Sequence, residues 1–304
     1  MRKYLSTYAP SLGELWLIML VLVCIGGSLC GAFVIVIAEL FFTLSPQTVN
    51  SIAIGAYPLT FAVAIPFIYF RAKESFIQSK LRNIPLPEPL PPTLGRLSIP
   101  VFLALLLLLV PAFTVTIEPL TMWIPMPEWI KKIFESFTQN GWVSFVSVVI
   151  MAPLFEEWLC RKVALGGLIK RGYSPAKAIL WSALMFGIIH MNPWQTIPAF
   201  LMGILFGWIY WRTRSIWSVV FMHAINNGTA FLLTHLFPEL PEDASTLDAF
   251  GPTIYPWVLV GSVIISVGVI WILNKTVRTD DKPSAIEFLE LPRCEGGKDR
   301  EAGL

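Results

Sequence analysis

The chain is 304 residues long, 55% hydrophobic and only 14% charged, with a formal net charge of +2. A water-soluble domain of that balance would expose large apolar patches, so most of the surface is expected to face lipid. The basic residues are scattered over short connections and form no block able to neutralise phosphates, which excludes nucleic acid as the partner.

Apolar stretches near the ~20 residues that cross a bilayer recur eight times. They lie at about 15–42, 51–70, 98–117, 142–168, 176–191, 194–211, 216–236 and 253–273. The first follows Arg2 and Lys3 and runs far beyond the apolar core of a signal peptide, so it reads as a retained span. Cys24 and Cys30 in it, Cys160 in the fourth and Cys294 near the end show no CxxC spacing, and no disulfide framework is expected. After the second segment, Pro85 to Pro92 reads as an extended polyproline spacer. Ahead of the fourth, Trp129, Ile130, Ile133, Phe134 and Phe137 recur on one helical face, which predicts an interfacial helix on the outer surface. The fifth segment is the shortest, and only Met191 to Pro193 separate it from the sixth, so the two are expected to form a tight hairpin. Gly203 and Gly207 in the sixth form a small face for close helix packing.

Lysine and arginine set the orientation. Arg71, Lys73, Lys80, Arg82 and Arg96, then Lys170, Arg171 and Lys177, then Arg212 and Arg214 all fall on the side of the N-terminus. The opposite connections hold only Lys131 and Lys132, which places both termini in the cytoplasm. The fold predicted is all-α, a polytopic transmembrane bundle of about eight spans. Its single membrane-embedded domain covers 1–278, with a polar, aperiodic and disordered tail at 279–304.

Ionisable residues inside apolar segments are costly and are functional candidates by default. The fourth segment holds three. Glu157 and Arg161 stand four residues apart on one helical face and can pair, while Glu156 points about 100° away without a local cation. Two adjacent glutamates thus take different environments, one paired and one free to exchange a proton. Pro153 just before them removes a backbone donor. The chain has three histidines. His190 follows Phe186 by four residues, and His223 precedes Asn227 by four, so imidazole and amide share a face. A glutamate and a histidine sharing a water form a general-base pair, and a second histidine with an amide forms an oxyanion hole. Singly, these residues are equally read as a buried structural pair and as interhelical glue. Asn226 reads as an off-face neighbour and His235 as an interface residue. It is the joint occurrence of two carboxylates, an arginine, two histidines and an amide that points to hydrolysis.

These residues resemble the CPBP family of intramembrane proteases, which includes type 2 CAAX prenyl endopeptidases and relatives tied to bacteriocin processing and self-immunity. The pattern is EExxxR, FxxxH and HxxxN, met here as Glu156-Glu157 with Arg161, Phe186 with His190, and His223 with Asn227. The resemblance covers about 140–235, and the first three segments carry none of it. It implies that Glu156 activates water with His190, that His223 and Asn227 stabilise the oxyanion, and that Glu157 and Arg161 shape the site. It further implies a peptidase of the bacterial cytoplasmic membrane acting on a membrane-embedded or lipid-anchored peptide, with CAAX-type C-terminal processing as one form. The zinc signature HExxH is absent. Glu156, His190 and His223 remain a conceivable zinc set, although the reading taken is metal-free. A proton-coupled transporter and a non-catalytic immunity partner are the rival classes. Helix rise places His190 about 20 Å from the cytoplasmic edge and His223 about 12 Å, so a shared site requires a tilted or deeper fifth helix.

Overall fold

The computed structural model describes residues 1–84, 91–241 and 243–277, so most of the expected spacer and the whole expected tail lie outside the described residues. Every element among them is a helix. In chain order they are α1 (Arg2–Leu5), α2 (Leu12–Phe41), α3 (Pro46–Ala56), α4 (Leu59–Leu81), α5 (Ile99–Leu120) and α6 (Glu128–Gln139). They continue with α7 (Gly141–Lys170), α8 (Pro175–Ile188), α9 (Pro193–Thr213), α10 (Ile216–Leu236) and α11 (Thr246–Thr276).

By length and composition five of the described helices, α2, α5, α7, α10 and α11, can cross a bilayer, or six if α3 and α4, bent by 41°, are one broken span. The difference from eight segments has a local cause. Helix α8 has 14 residues, about 21 Å at the helical rise, against a hydrocarbon core of about 30 Å. Helix α9 is longer, but Gln195, Thr196, Tyr210 and Arg212 dilute its apolar run. The two pack side by side as the predicted hairpin, and glycines permit the approach. A Cβ at Gly187 would lie 2.7 Å from Thr196 O, one at Gly203 3.0 Å from Ala183 Cα, and one at Gly207 3.1 Å from Ile179 Cγ2.

Capping explains where the hairpin starts and turns. Ser174 Oγ accepts the Lys177 N–H with Pro175 as the first helical residue, and Asn192 Oδ1 accepts the Gln195 N–H with Pro193 following. Between them the chain reverses through Met191, whose φ of 54° is in the left-handed region. Asn192 Nδ2 also donates to His190 O, tying that histidine to the turn.

Helix α7 is irregular. Wide π turns occupy Phe145–Met151 and Trp158–Leu165, with α geometry over Ala152–Glu157 between them. The Ala152 N–H bonds back to Ser147 O, five residues earlier. The next donor in that register would serve Val148 O, but it is Pro153, which has none. Val148 O is satisfied from another helix, by Asn227 Nδ2 of α10 at 2.9 Å.

The core runs between α2, α4, α5, α7, α9 and α10, with Ile18, Ile68, Leu106, Leu165, Phe206 and Met222 almost fully buried. Leu29, Phe33, Leu107, Trp142, Ile264 and Trp271 point outward, as lipid-facing side chains do. On α6, Ile130 is buried while Trp129 and Ile133 are exposed, and Phe134 meets Trp194 of α9 edge-on at 5.6 Å. Lys131 reaches Asp243 at 3.0 Å and Glu128 at 3.4 Å, and the hydrogen bond it donates to Asp243 holds its ammonium above the usual lysine value. The three described cysteines are free thiols.

Candidate active site

Glu156 and Glu157 end the α segment of α7 that the two π stretches enclose, and Arg161 follows one turn later. All three are buried, at 2%, 0% and 0% exposure. A buried guanidinium needs an anion and further acceptors. Arg161 Nε lies 2.9 Å from Glu157 Oε2, an ion pair by distance whose N–H is not aimed at the oxygen, and Nη2 lies 3.5 Å from Oε1. Nη1 donates to Ser182 Oγ of α8 at 3.3 Å, and Ser182 passes its own proton to Cys160 O at 2.7 Å. The guanidinium carbon also lies 4.8 Å from the Phe186 ring centre and 5.9 Å from that of Phe206, within cation–π range. The spacing-based pairing of Glu157 with Arg161 is therefore present, and α8 and α9 complete it.

His223, at 4% exposure, comes in from α10. Its Nδ1 is 3.0 Å from Glu157 Oε1. An ionised carboxylate only accepts, so Nδ1 carries the proton in this contact. The other ring nitrogen, Nε2, lies 4.0 Å from Glu156 Oε2. Phe186 meets His223 edge-on with ring centres 5.3 Å apart, and meets His190 edge-on at the same 5.3 Å.

Glu156 has a partner that sequence reasoning missed. Tyr57 Oη donates to Glu156 Oε1 at 3.0 Å, whereas Oε2 is buried without a hydrogen-bond partner among the described residues. Tyr57 stands at the break between α3 and α4, 99 residues before the glutamate. The available signal was a Tyr57-Pro58 pair inside an apolar segment, a polar aromatic at a helix breaker.

His190 is placed differently from the expected water pair. It sits just past the end of α8, its Nδ1 is 2.8 Å from Phe186 O, and among the described residues no carboxylate oxygen lies within 4.0 Å of its ring. The carbonyl only accepts, so Nδ1 donates and Nε2 keeps a lone pair. His190 thus shares the Phe186 cluster without contacting either carboxylate within 4.0 Å.

Asn227 is engaged on both ends. Besides the bond to Val148 O, its Oδ1 accepts from Asn226 Nδ2 at 3.2 Å, and Asn226 Oδ1 accepts from Thr114 Oγ1 of α5 at 3.3 Å. Asn226 is therefore part of a chain linking three helices and not a bystander. His235 is remote and exposed, its Nδ1 2.8 Å from Phe231 O.

A zinc set requires three protein ligands converging at about 2.0–2.2 Å. Among the described residues no three of His, Cys, Asp or Glu converge in that way, and His190 is held on its own helix by Phe186 O. The residues as arranged do not fit a three-ligand metal centre.

Comparison with known proteins converges on the same stretch. Residues 138–229 match the family profile described as type II CAAX prenyl endopeptidase Rce1-like. The chain is 31% identical over 78 residues to YdiL of Bacillus subtilis, named a membrane peptidase, covering 26% of this chain and 32% of that protein. It is 30% identical over 109 residues to the membrane-embedded CAAX protease MroQ of Staphylococcus aureus, covering 34% and 43% respectively. The match thus spans less than half the length of either relative. No solved structure matches.

Proposed function

We propose, for a chain whose residues 138–229 belong to the Rce1-like family of type II CAAX prenyl endopeptidases, that Glu156 and His223 hydrolyse a peptide bond of a membrane-embedded or lipid-anchored substrate. One observation carries the reading: a buried carboxylate oxygen without a hydrogen-bond partner among the described residues, Glu156 Oε2, faces an imidazole nitrogen 4.0 Å away. Leaving such an oxygen unpaired costs about 1–3 kcal/mol, and a water within about 2.8 Å of it would relieve that cost and be held for attack.

The chemistry follows from the partners. Glu156 takes a proton from the water as the hydroxyl attacks the peptide carbon, and later returns it to the leaving amine. The carbonyl oxygen becomes an oxyanion on the same tetrahedral carbon, so groups bracketing the two oxygens must face each other across a short gap. His223 Nε2 faces Glu156 in this way, with Nδ1 already fixed on Glu157. The second amide hydrogen of Asn227 is the further oxyanion donor. His190, with its Nε2 lone pair, supplies the second contact to the water once substrate draws the site together, since catalytic hydrogen bonds often tighten only in the substrate complex.

The finer form of the proposal is C-terminal processing of a CAAX-type peptide, supported by the family and by the printed name of MroQ. We further propose a location in the bacterial cytoplasmic membrane, with both termini cytoplasmic and 1–278 as one membrane-embedded domain. The test is a digest by purified protein in proteoliposomes of two substrates, a farnesylated CAAX peptide and a set of unmodified transmembrane peptides. Mass spectrometry then looks for new termini. Wild type is expected to create a new C-terminus in at least one peptide and Glu156→Gln in none, at matched thermal stability. A wild type that cuts no peptide, or a Glu156→Gln variant keeping more than about a tenth of the rate where a general base contributes ~10²–10⁴, contradicts the proposal.

A further inference from the structure

We infer that Tyr57 is a positioning residue of this site: its hydroxyl fixes the Glu156 carboxylate through Oε1, so that Oε2 alone is presented toward His223. The inference rests on the peptidase reading above and adds to it a residue from outside the matched segment, which begins at residue 138.

Three observations support it. The Tyr57–Glu156 contact, at 3.0 Å, is the one hydrogen bond made by the Glu156 side chain among the described residues. The terminal torsion of a glutamate is broad and nearly two-fold. Without that donor, nothing distinguishes Oε1 from Oε2, and the carboxylate is free to turn away from the line to His223. The phenol itself is held from several sides. Its ring meets Phe61 edge-on at 5.5 Å, and Thr60 Oγ1 donates to Tyr57 O at 2.7 Å. Behind that turn, a Cβ on Gly27 of α2 would lie 2.6 Å from Thr60 Cα, so α2 backs directly onto the segment. Finally, the side chain reaches the glutamate because the helix breaks there. Pro58 supplies no N–H, the path bends by 41° between α3 and α4, and Tyr57 sits at that break and not in a continuous helix wall.

Tyr57→Phe keeps the ring and its contact with Phe61 while removing only the donor. The substrate is whichever peptide wild type cuts in the digest described above, and rates are measured beside thermal stability. The expected result is a kcat lowered about tenfold or more, the scale of one hydrogen bond to a charged group. KM should stay within about twofold, and the melting temperature should fall by no more than the loss of one buried hydrogen bond, about 1–3 kcal/mol, accounts for. A structural role alone would not produce that split. Infrared difference spectra provide a readout that needs no turnover: the carboxyl band that disappears in Glu156→Gln should shift in Tyr57→Phe. A kcat equal to or above wild type, or an unshifted band, overturns the inference. If wild type cuts no peptide, the peptidase reading itself fails, which is visible before any Tyr57 variant is compared, and the positioning role falls with it.

Discussion

Glu157 serves two partners at once, accepting from His223 Nδ1 at 3.0 Å and pairing with Arg161 at 2.9 Å. A fully buried arginine whose single carboxylate is lost, or the reverse, leaves an uncompensated charge, and breaking such a pair costs about 3–5 kcal/mol. Arg161→Ala is therefore expected to lower folded yield and melting temperature in detergent, and Arg161→Lys should not restore them. An ammonium cannot match a planar fork that reaches Glu157 and Ser182 and lies against Phe186. Thermal unfolding of the purified variants is the check. An Arg161→Ala protein as stable as wild type would move Arg161 from support of the site to a direct role with substrate. The pairing was legible from sequence because i, i+4 spacing is local helix geometry. Tyr57 was not, because its contact spans 99 residues and depends on a helix break that periodicity does not reveal.

Helix α7 owes its shape to a missing donor. With the Ala152 N–H committed to Ser147 O and Pro153 unable to donate, Val148 O depends on the Asn227 amide. This gives Asn227 a structural duty beside the oxyanion role that the resemblance implies, and the two can be separated. Asn227→Ala in the wild-type background strands a backbone carbonyl and is expected to cost about 1–3 kcal/mol. In a Pro153→Ala background the restored N–H at position 153 supplies Val148 O, and the same substitution should cost clearly less. Chemical or thermal unfolding of the four proteins in the cycle measures this. Equal costs in both backgrounds would show that Val148 O has another donor. Pro153 was legible as a lost donor; where its orphaned acceptor would be satisfied was not, since that requires the packing of α10 on α7. The π turns were equally illegible, because apolar residues crowd every face of this segment and leave no period to read. At α8 the sequence showed the hairpin, and the segment read as 176–191 is a helix over Pro175–Ile188 followed by the turn through Met191.

At the scale of the whole molecule, composition and the recurrence of apolar stretches were enough to read a multi-span helical membrane protein. The three motifs were enough to read the family, which the match over 138–229 bears out. Their assembly was not readable, since no local rule says that His223 would pass beyond Glu157 to face Glu156, or that His190 would be tied to Phe186 O. The central claim is that Glu156 on α7 and His223 on α10 act as one unit, present only when the bundle is assembled. Residues acting as a unit have non-additive kinetic effects, whereas independent ones multiply. The most direct test is the rate of peptide cleavage by Glu156→Gln, His223→Ala and the double variant, each verified as folded. The account predicts that each single substitution lowers the rate by about 10²-fold or more and that the double variant is no slower than the slower single. A double variant slower by the product of the two single losses would contradict it.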